Sequence, residues 1–119
     1  MEHELKLYET EDGACLVRDY LRGQSKRVRG EAGWLLERLE REGNSLERPA
    51  TDFLDDGIYE LRVIVDRQQH RLLYFFHKQI IVATHGFLKK TPKVPKEQIE
   101  RAKRVRADWL AREEETRRK

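Results

Sequence analysis

From Gly57 onward the hydropathy of the chain changes period, and this stretch limits the fold more than any other feature. Tyr59, Leu61, Val63 and Val65 alternate with Glu60, Arg62, Ile64 and Asp66, the two-residue period of a strand with a buried face. Asp66-Arg67-Gln68-Gln69 is a polar break. His70-Arg71-Leu72-Leu73-Tyr74-Phe75-Phe76 is a second run of strand formers. His77-Lys78-Gln79 is another break, and Ile80 to Phe87 is a third strand. Connections this short leave an antiparallel meander. Two of the runs are apolar at both parities, so part of the sheet must be covered on both sides.

The flanking sequence supplies the cover. Glu4-Leu5-Lys6-Leu7-Tyr8 alternates like a further strand, and residues 9–13 read as a turn. Leu16, Val17, Tyr20 and Leu21 form one stripe on a short helix over residues 14–22, with Gly23 as its stop. Ser25 is placed to N-cap a second helix through a backbone N–H of its first turn. Val28, Ala32, Leu35, Leu36 and Leu39 give that helix its buried face, and Gly43 ends it. The short link between them predicts an antiparallel helical hairpin. No element is assigned between Gly43 and Gly57. After the meander comes a basic loop, Lys89 to Lys96, whose Pro95 suits the first position of a helix. Ile99, Ala102, Val105, Trp109 and Leu110 mark the apolar stripe of that helix, and residues 113–119 read as a frayed, charged tail. The order β-α-α-β-β-β-α predicts one α+β domain over residues 1–119, with the hairpin and the last helix packed on a small antiparallel sheet.

Composition excludes several classes. The 119 residues contain one cysteine, Cys15, so neither an intrachain disulfide nor a cysteine-rich zinc site is expected. No run of about 18 apolar residues is present, so no membrane span and no membrane partner is expected. The start, Met1-Glu2-His3-Glu4, lacks the basic and apolar regions of a signal peptide, which fits a cytoplasmic location. The 25 basic and 22 acidic side chains nearly balance, but they are segregated. Residues 1–56 carry 14 acidic and 9 basic side chains, residues 57–96 carry 2 and 8, and residues 97–119 carry 6 and 8. The cationic centre is where a polyanion would dock, although lysines and arginines that merely solvate a sheet give the same count.

Three segments then carry a resemblance. They are Gly57-Ile58-Tyr59-Glu60-Leu61-Arg62, the run His70 to Phe76, and His85-Gly86-Phe87-Leu88-Lys89-Lys90-Thr91-Pro92-Lys93, followed by the helix start Pro95 to Ala102. Together they resemble the RelE/ParE toxin superfamily, in its HigB-like, phage-derived branch, over roughly residues 5–112. The resemblance implies the toxin of a type II toxin–antitoxin pair: a metal-independent, cofactor-free endoribonuclease (an mRNA interferase) that cuts messenger RNA in the ribosomal A site. It implies as partners the ribosome with its mRNA and a small antitoxin, often of helix-turn-helix type. By motif position it points to Arg62, Arg71 and Lys89 or Lys90 as the basic residues of the site, and to His85 near the strand end. The chain departs from the pattern at Glu60, where some relatives carry a basic residue, and in having no His or Tyr after residue 85.

The chemistry gives those residues definite tasks. Metal-free RNA cleavage needs the 2′-OH activated, the phosphorane charge neutralised and the 5′-O protonated. Arg62 and Arg71, on adjacent strands, suit the second task, because guanidinium stays charged and grips phosphate bidentately. The plainer alternative is that they pair with Glu60 or Asp66. His85 suits acid–base work near neutrality, or is a hydrogen-bonded strand-end histidine. With Lys90 these residues form the catalytic set the family likeness suggests. Lys89, Lys93 and Lys96 in the loop before a helix N-terminus suit RNA or ribosome backbone, or are simply solvated. His70 and His77 are expected exposed at hairpin edges. Tyr59, Tyr74 and Phe76 are expected in the core rather than stacked on bases, Cys15 as a small buried residue, and Glu60 in an ion pair with an arginine. Three readings stay open: the ribosome-dependent nuclease; a toxin fold that acts by binding alone, as in ParE-like topoisomerase inhibition or a phage remnant; and a generic RNA-binding module.

Overall fold

A computed structural model describes residues 2–118. In chain order the elements are β1 (Glu4–Leu7), α1 (Leu16–Arg22), α2 (Lys26–Glu42), β2 (Thr51–Asp55), β3 (Ile58–Val65), β4 (Gln68–His77), β5 (Ile80–Leu88) and α3 (Lys96–Arg118). The five strands form one sheet in the order β1-β5-β4-β3-β2. The expected meander is β3-β4-β5, antiparallel throughout. Two features differ from the expectation. Strand β2 adds to the meander as an antiparallel edge, and β1 pairs with β5 in parallel, so the sheet is mixed.

Local chemistry accounts for the turns and caps. The β2–β3 turn is Asp56-Gly57 and the β3–β4 turn is Asp66-Arg67, all four with positive φ. This is the left-handed pair of a two-residue hairpin turn, whose twist matches the strands. Ser25 caps α2, its hydroxyl accepting from Val28 N–H at 3.2 Å. Gly43 closes α2 at φ +54°, where a Cβ would run into the His3 ring. Helix α3 is continuous through Arg118, into the segment expected as a tail.

The sheet is covered on both faces, as its double-apolar strands require. On one face Val28, Ala32, Leu35, Leu36 and Leu39 of α2, with Val17 of α1, pack on Leu61, Val63, Leu72, Tyr74 and Ile81. On the other, Ala102 and Val105 of α3 pack on Ile58, Leu73, Phe75, Val82 and Phe87. Each large aliphatic side chain buried in this way contributes about 1.5–3 kcal/mol. The predicted faces of α2 and α3 are the buried ones. Cys15 and Tyr74 are buried as expected, while Trp34 on α2 is exposed with Arg38 over its ring. His70 corrects its expectation: it is buried under α1, its Nδ1 bonded to the Tyr20 hydroxyl at 2.5 Å.

One irregularity positions the site. The β4–β5 register shifts at Leu73/Tyr74, where Leu73 faces His85 but Tyr74 faces Ala83. Thr84 is the extra residue of this bulge. Its hydroxyl lies 3.2 Å from the Leu73 carbonyl. Ile81 and Ala83 belong to the α1–α2 face. Strict alternation would put His85 on that face too. The bulge resets the phase and turns His85 and Phe87 toward α3. Gly86 then lies against α1, where a Cβ would stand 2.7 Å from both Leu72 and Tyr20 side-chain atoms.

Candidate nucleic-acid interface

The α3 face of the sheet is arranged in cross-strand rows. Glu60 stands opposite Leu73, and Leu73 opposite His85. In the next row Arg62 stands opposite Arg71, and Arg71 opposite Phe87. In the last row Ile64 stands opposite Gln69, whose carbonyl accepts from Lys89 N–H at 2.7 Å. Arg62, Arg71, His85 and Lys89 therefore come from three neighbouring strands and converge on one end of one face.

The two arginines share one carboxylate. Arg71 Nε donates to Glu60 Oε1 at 3.0 Å and Arg62 Nε to Glu60 Oε2 at 2.9 Å. The chain of charges continues outward. Arg62 Nη2 lies 3.3 Å from Asp52 Oδ2, and Arg48 Nη2 lies 2.9 Å from the same oxygen. Side-chain exposure climbs along this chain, from 4% at Arg71 to 28% at Arg62 and 74% at Arg48. Arg71 also donates to the His70 carbonyl and to the Gln69 side chain, so each of its three nitrogens has a partner within the protein. Arg48 beside Asp52 holds that carboxyl below its usual range, helped by Phe53 N–H and Arg62. The expected ion pair of Glu60 is thus present twice. Arg71 is part of the interior, and Arg62 is the guanidinium of the inner pair that reaches solvent.

His85 is also interior. It is 1% exposed, with Nε2 2.9 Å from Gln98 Oε1 and Nδ1 3.0 Å from the Thr84 hydroxyl. Burial pushes its pKa from the usual 6.5 down to about 4, against the Gln98 hydrogen bond and with help from Arg101 and Arg104. The ring is therefore neutral at pH 7. Nε2–H donating to Gln98 and Nδ1 accepting from Thr84 satisfy that state. Such a ring orients the start of α3; it holds no proton to give near neutrality.

The exposed cations lie on the rim of this face. Lys90, Lys93, Lys96, Arg101 and Arg104 are exposed, and Lys89 is half-buried. Among the described residues none of the six forms an ion pair. The other cations of α3 that face acidic side chains are paired: Lys103 with Asp55, Arg106 with Asp56 and Arg112 with Asp108. Residues 89–104 hold 7 basic and 2 acidic side chains. Sequence reading found the loop lysines. It missed Gln98, Thr84, Arg101, Arg104 and the Arg48–Asp52 pair, the last for want of β2. Among the described residues no group of three or more His, Cys, Asp or Glu is disposed to hold a metal ion, and no helix is long and apolar enough to cross a membrane.

The model of the phage-derived protein Gp49-like family (DUF891) matches residues 19–107. The chain belongs to this family. The Gp49-like match runs from within α1 into α3 and takes in the whole meander. It therefore includes Arg62, Arg71, His85, Lys89, Lys90, Lys93 and Lys96, and leaves out β1 and the last turns of α3. No curated protein matches the chain.

Proposed function

We propose that this Gp49-like protein is the toxin of a type II toxin–antitoxin pair and cuts messenger RNA on the ribosome without a metal, held in check by a small antitoxin of helix-turn-helix type. The observation that carries the reading is the rim of unpaired cations beside the Arg62–Glu60–Arg71 array. Lysines and arginines without internal partners attract a phosphate backbone by charge alone, and single-stranded RNA needs no base readout to bind there. Within this reading Lys89, Lys93, Lys96, Arg101 and Arg104 hold the backbone. Arg62 faces the scissile phosphate and Lys90 supplies positive charge to the phosphorane. Arg71 and His85 are positioning residues: the first fixes Glu60 and through it Arg62, the second fixes Gln98 and the start of α3.

The burial of Arg71 and the neutrality of His85 favour a second reading, a toxin fold that acts by binding alone. Inducible expression followed by mapping of mRNA 5′ ends separates the two. The nuclease reading expects growth arrest with new ends inside ribosome-bound codons. Arg62→Ala should lower cutting about 100-fold, the scale of losing one charge-stabilising donor, and Lys90→Ala should lower it too. Arrest that persists in both variants, or arrest with intact mRNA and a DNA-damage response, overturns it in favour of binding. Arg71→Ala is a poor probe, because it strands the buried Glu60 carboxylate and perturbs the fold.

A further inference from the structure

The edge of the sheet at β1 carries a pattern that its own reverse would complete. Strand β1 is bonded only to β5. Glu4 N–H donates to the Gln79 carbonyl at 2.8 Å, and Tyr8 N–H to the Ala83 carbonyl at 2.9 Å. This fixes the phase of the ladder: the main-chain groups of Glu4, Lys6 and Tyr8 point inward, and those of Leu5 and Leu7 point outward. Leu5 N–H is met there by a side chain in place of a strand, the Glu40 carboxylate at 2.7 Å. The Leu5 and Leu7 side chains pack on the α1–α2 side. Glu4 and Lys6 therefore alternate to the α3 side, where both are exposed.

The two ends of this edge are charged in opposite senses. At the Leu7 end lies a cavity of about 580 Å³, lined by Leu7, Val17, Leu21, Arg18, Arg22 and Arg29. Its charged lining is entirely cationic. Arg22 pairs with Asp19 of its own helix at 3.4 Å, both well exposed, and Arg29 donates to the Gln24 carbonyl. At the other end lies a cavity of about 530 Å³. Its lining, Glu2, His3, Glu37, Glu40 and Arg41, holds three carboxylates to one guanidinium. Among the described residues none of Glu4, Lys6, Arg18, Arg29, Glu37 and Glu40 forms an ion pair.

A segment of uniform charge, RNA included, is attracted by one end and repelled by the other. A second copy turned by a two-fold axis meets both. We propose that two copies of this chain pair through β1, antiparallel about Leu5, into a two-fold dimer with one sheet running through both. In this register the Leu5 carbonyl of each copy takes the place of Glu40 at the Leu5 N–H of the other. Glu4 of each copy stands opposite Lys6 of the other, which makes two cross-strand ion pairs. The axis also carries the Glu37 and Glu40 end of each copy toward the Arg18 and Arg29 end of the other, as an isologous contact does. Other registers fit worse. Pairing about Glu4 or Lys6 sets that charge against its own copy. Pairing about Leu7 runs Leu5 against Glu9, where the chain has already turned to bridge Cys15. This contact stands apart from the cationic rim and does not depend on the nuclease reading.

The test is the mass of the full-length protein against concentration, read by analytical ultracentrifugation. The expected result is a reversible rise from 14.3 kDa toward twice that value by millimolar protein. Glu4→Lys and Lys6→Glu each turn both cross-strand pairs into like-charge pairs, at exposed positions whose variants are checked for a native amide spectrum. Each variant alone should dimerise at least about tenfold more weakly. An equimolar mixture of the two should dimerise again, because every lysine of one copy then stands opposite a glutamate of the other. In a sample mixed from isotope-labelled and unlabelled wild-type copies, the α-protons of Glu4 and Lys6 should show a contact between copies, since opposite residues of this pair type have Cα atoms about 4.5 Å apart. A monomer at every concentration, single variants that dimerise like the wild type, a mixture that stays monomeric, or contacts between copies that miss residues 3–7 each overturn the proposal.

Discussion

Two arginine- and lysine-rich places sit side by side on this molecule, and their charges have opposite fates. In the Arg48–Asp52–Arg62–Glu60–Arg71 chain every cation has a carboxylate within 3.3 Å, and the innermost pair is almost sealed from water. On the rim from Lys89 to Arg104, six cations form no ion pair among the described residues. The first is a piece of the fold: its charges cancel, and its field ends inside the protein. The second projects its field outward, where only a ligand can answer it. Arginine content alone would have ranked the two alike; the pairing separates them.

The comparison breaks most severely at its buried end. Glu60→Ala should cost about 3–5 kcal/mol in urea unfolding, because it leaves the Arg71 guanidinium buried without a partner. Glu60→Leu combined with Arg71→Leu should recover most of that loss, since a well-packed apolar pair can replace a buried ionic one. If the double variant is as unstable as the single one, the array is more than structural filling. Next comes pH. His85 is depressed to about 4 in the folded chain against 6.5 unfolded. Its contribution is complete above about pH 6.5 and is lost as pH falls through 4, because the unfolded chain takes up the proton first. A loss on the order of 2–3 kcal/mol between those values follows from about 1.4 kcal/mol per unit. His70, lowered by burial and by Arg71, acts in the same direction. In His85→Gln the remaining slope should be visibly flatter.

Smaller effects sharpen the outer end. Arg48→Ala removes an exposed partner and should cost no more than about 1 kcal/mol. The same change should let the Asp52 carboxyl titrate at higher pH, which carboxyl NMR reads directly. On the rim, joint replacement of Lys89, Lys90 and Lys93 by alanine should leave stability within about 0.5 kcal/mol. RNA affinity should fall steeply in that variant, and the slope of log affinity against log salt should drop by about 0.7 for each phosphate the protein no longer neutralises. Unchanged RNA binding would mean that the unpaired rim is only solvated.

Much of this was legible in the sequence because it follows from period and capping. The meander, the α2 face from Val28 to Leu39 and the Ser25 cap come from local rules that the tertiary structure did not override. Strand β2 was not legible. Asp52, Asp55 and Asp56 obscure its alternation, though Asp56-Gly57 is a hairpin turn signal that points back to a strand before it. His70 was misjudged because a hairpin-end position looked solvated, whereas α1 lies across it. The site was only half readable. Motif position brought Arg62, Arg71, His85 and the lysines together; the first three share one face of the sheet, yet nothing in the string of letters says that Arg71 and His85 are sealed. Phe87 lies opposite Arg71 and stacks on His85, and Gln98 of α3 meets the His85 ring, which are properties of the assembled fold.

The bulge at Thr84 imposes a parity rule on everything after it. Between Ala83 and the loop, each residue's side of the sheet depends on whether an odd or even number of residues intervenes. Deleting Thr84 would restore continuous pairing, Ala83 with Tyr74 and His85 with Leu73, so His85 and Phe87 would keep the α3 side and only the bend would go. Deleting Gly86 instead would bring Phe87 into the place against Tyr20 and Leu72 where even a Cβ does not fit. Within the short stretch that carries the cationic strand end, which codon is lost therefore matters more than how many.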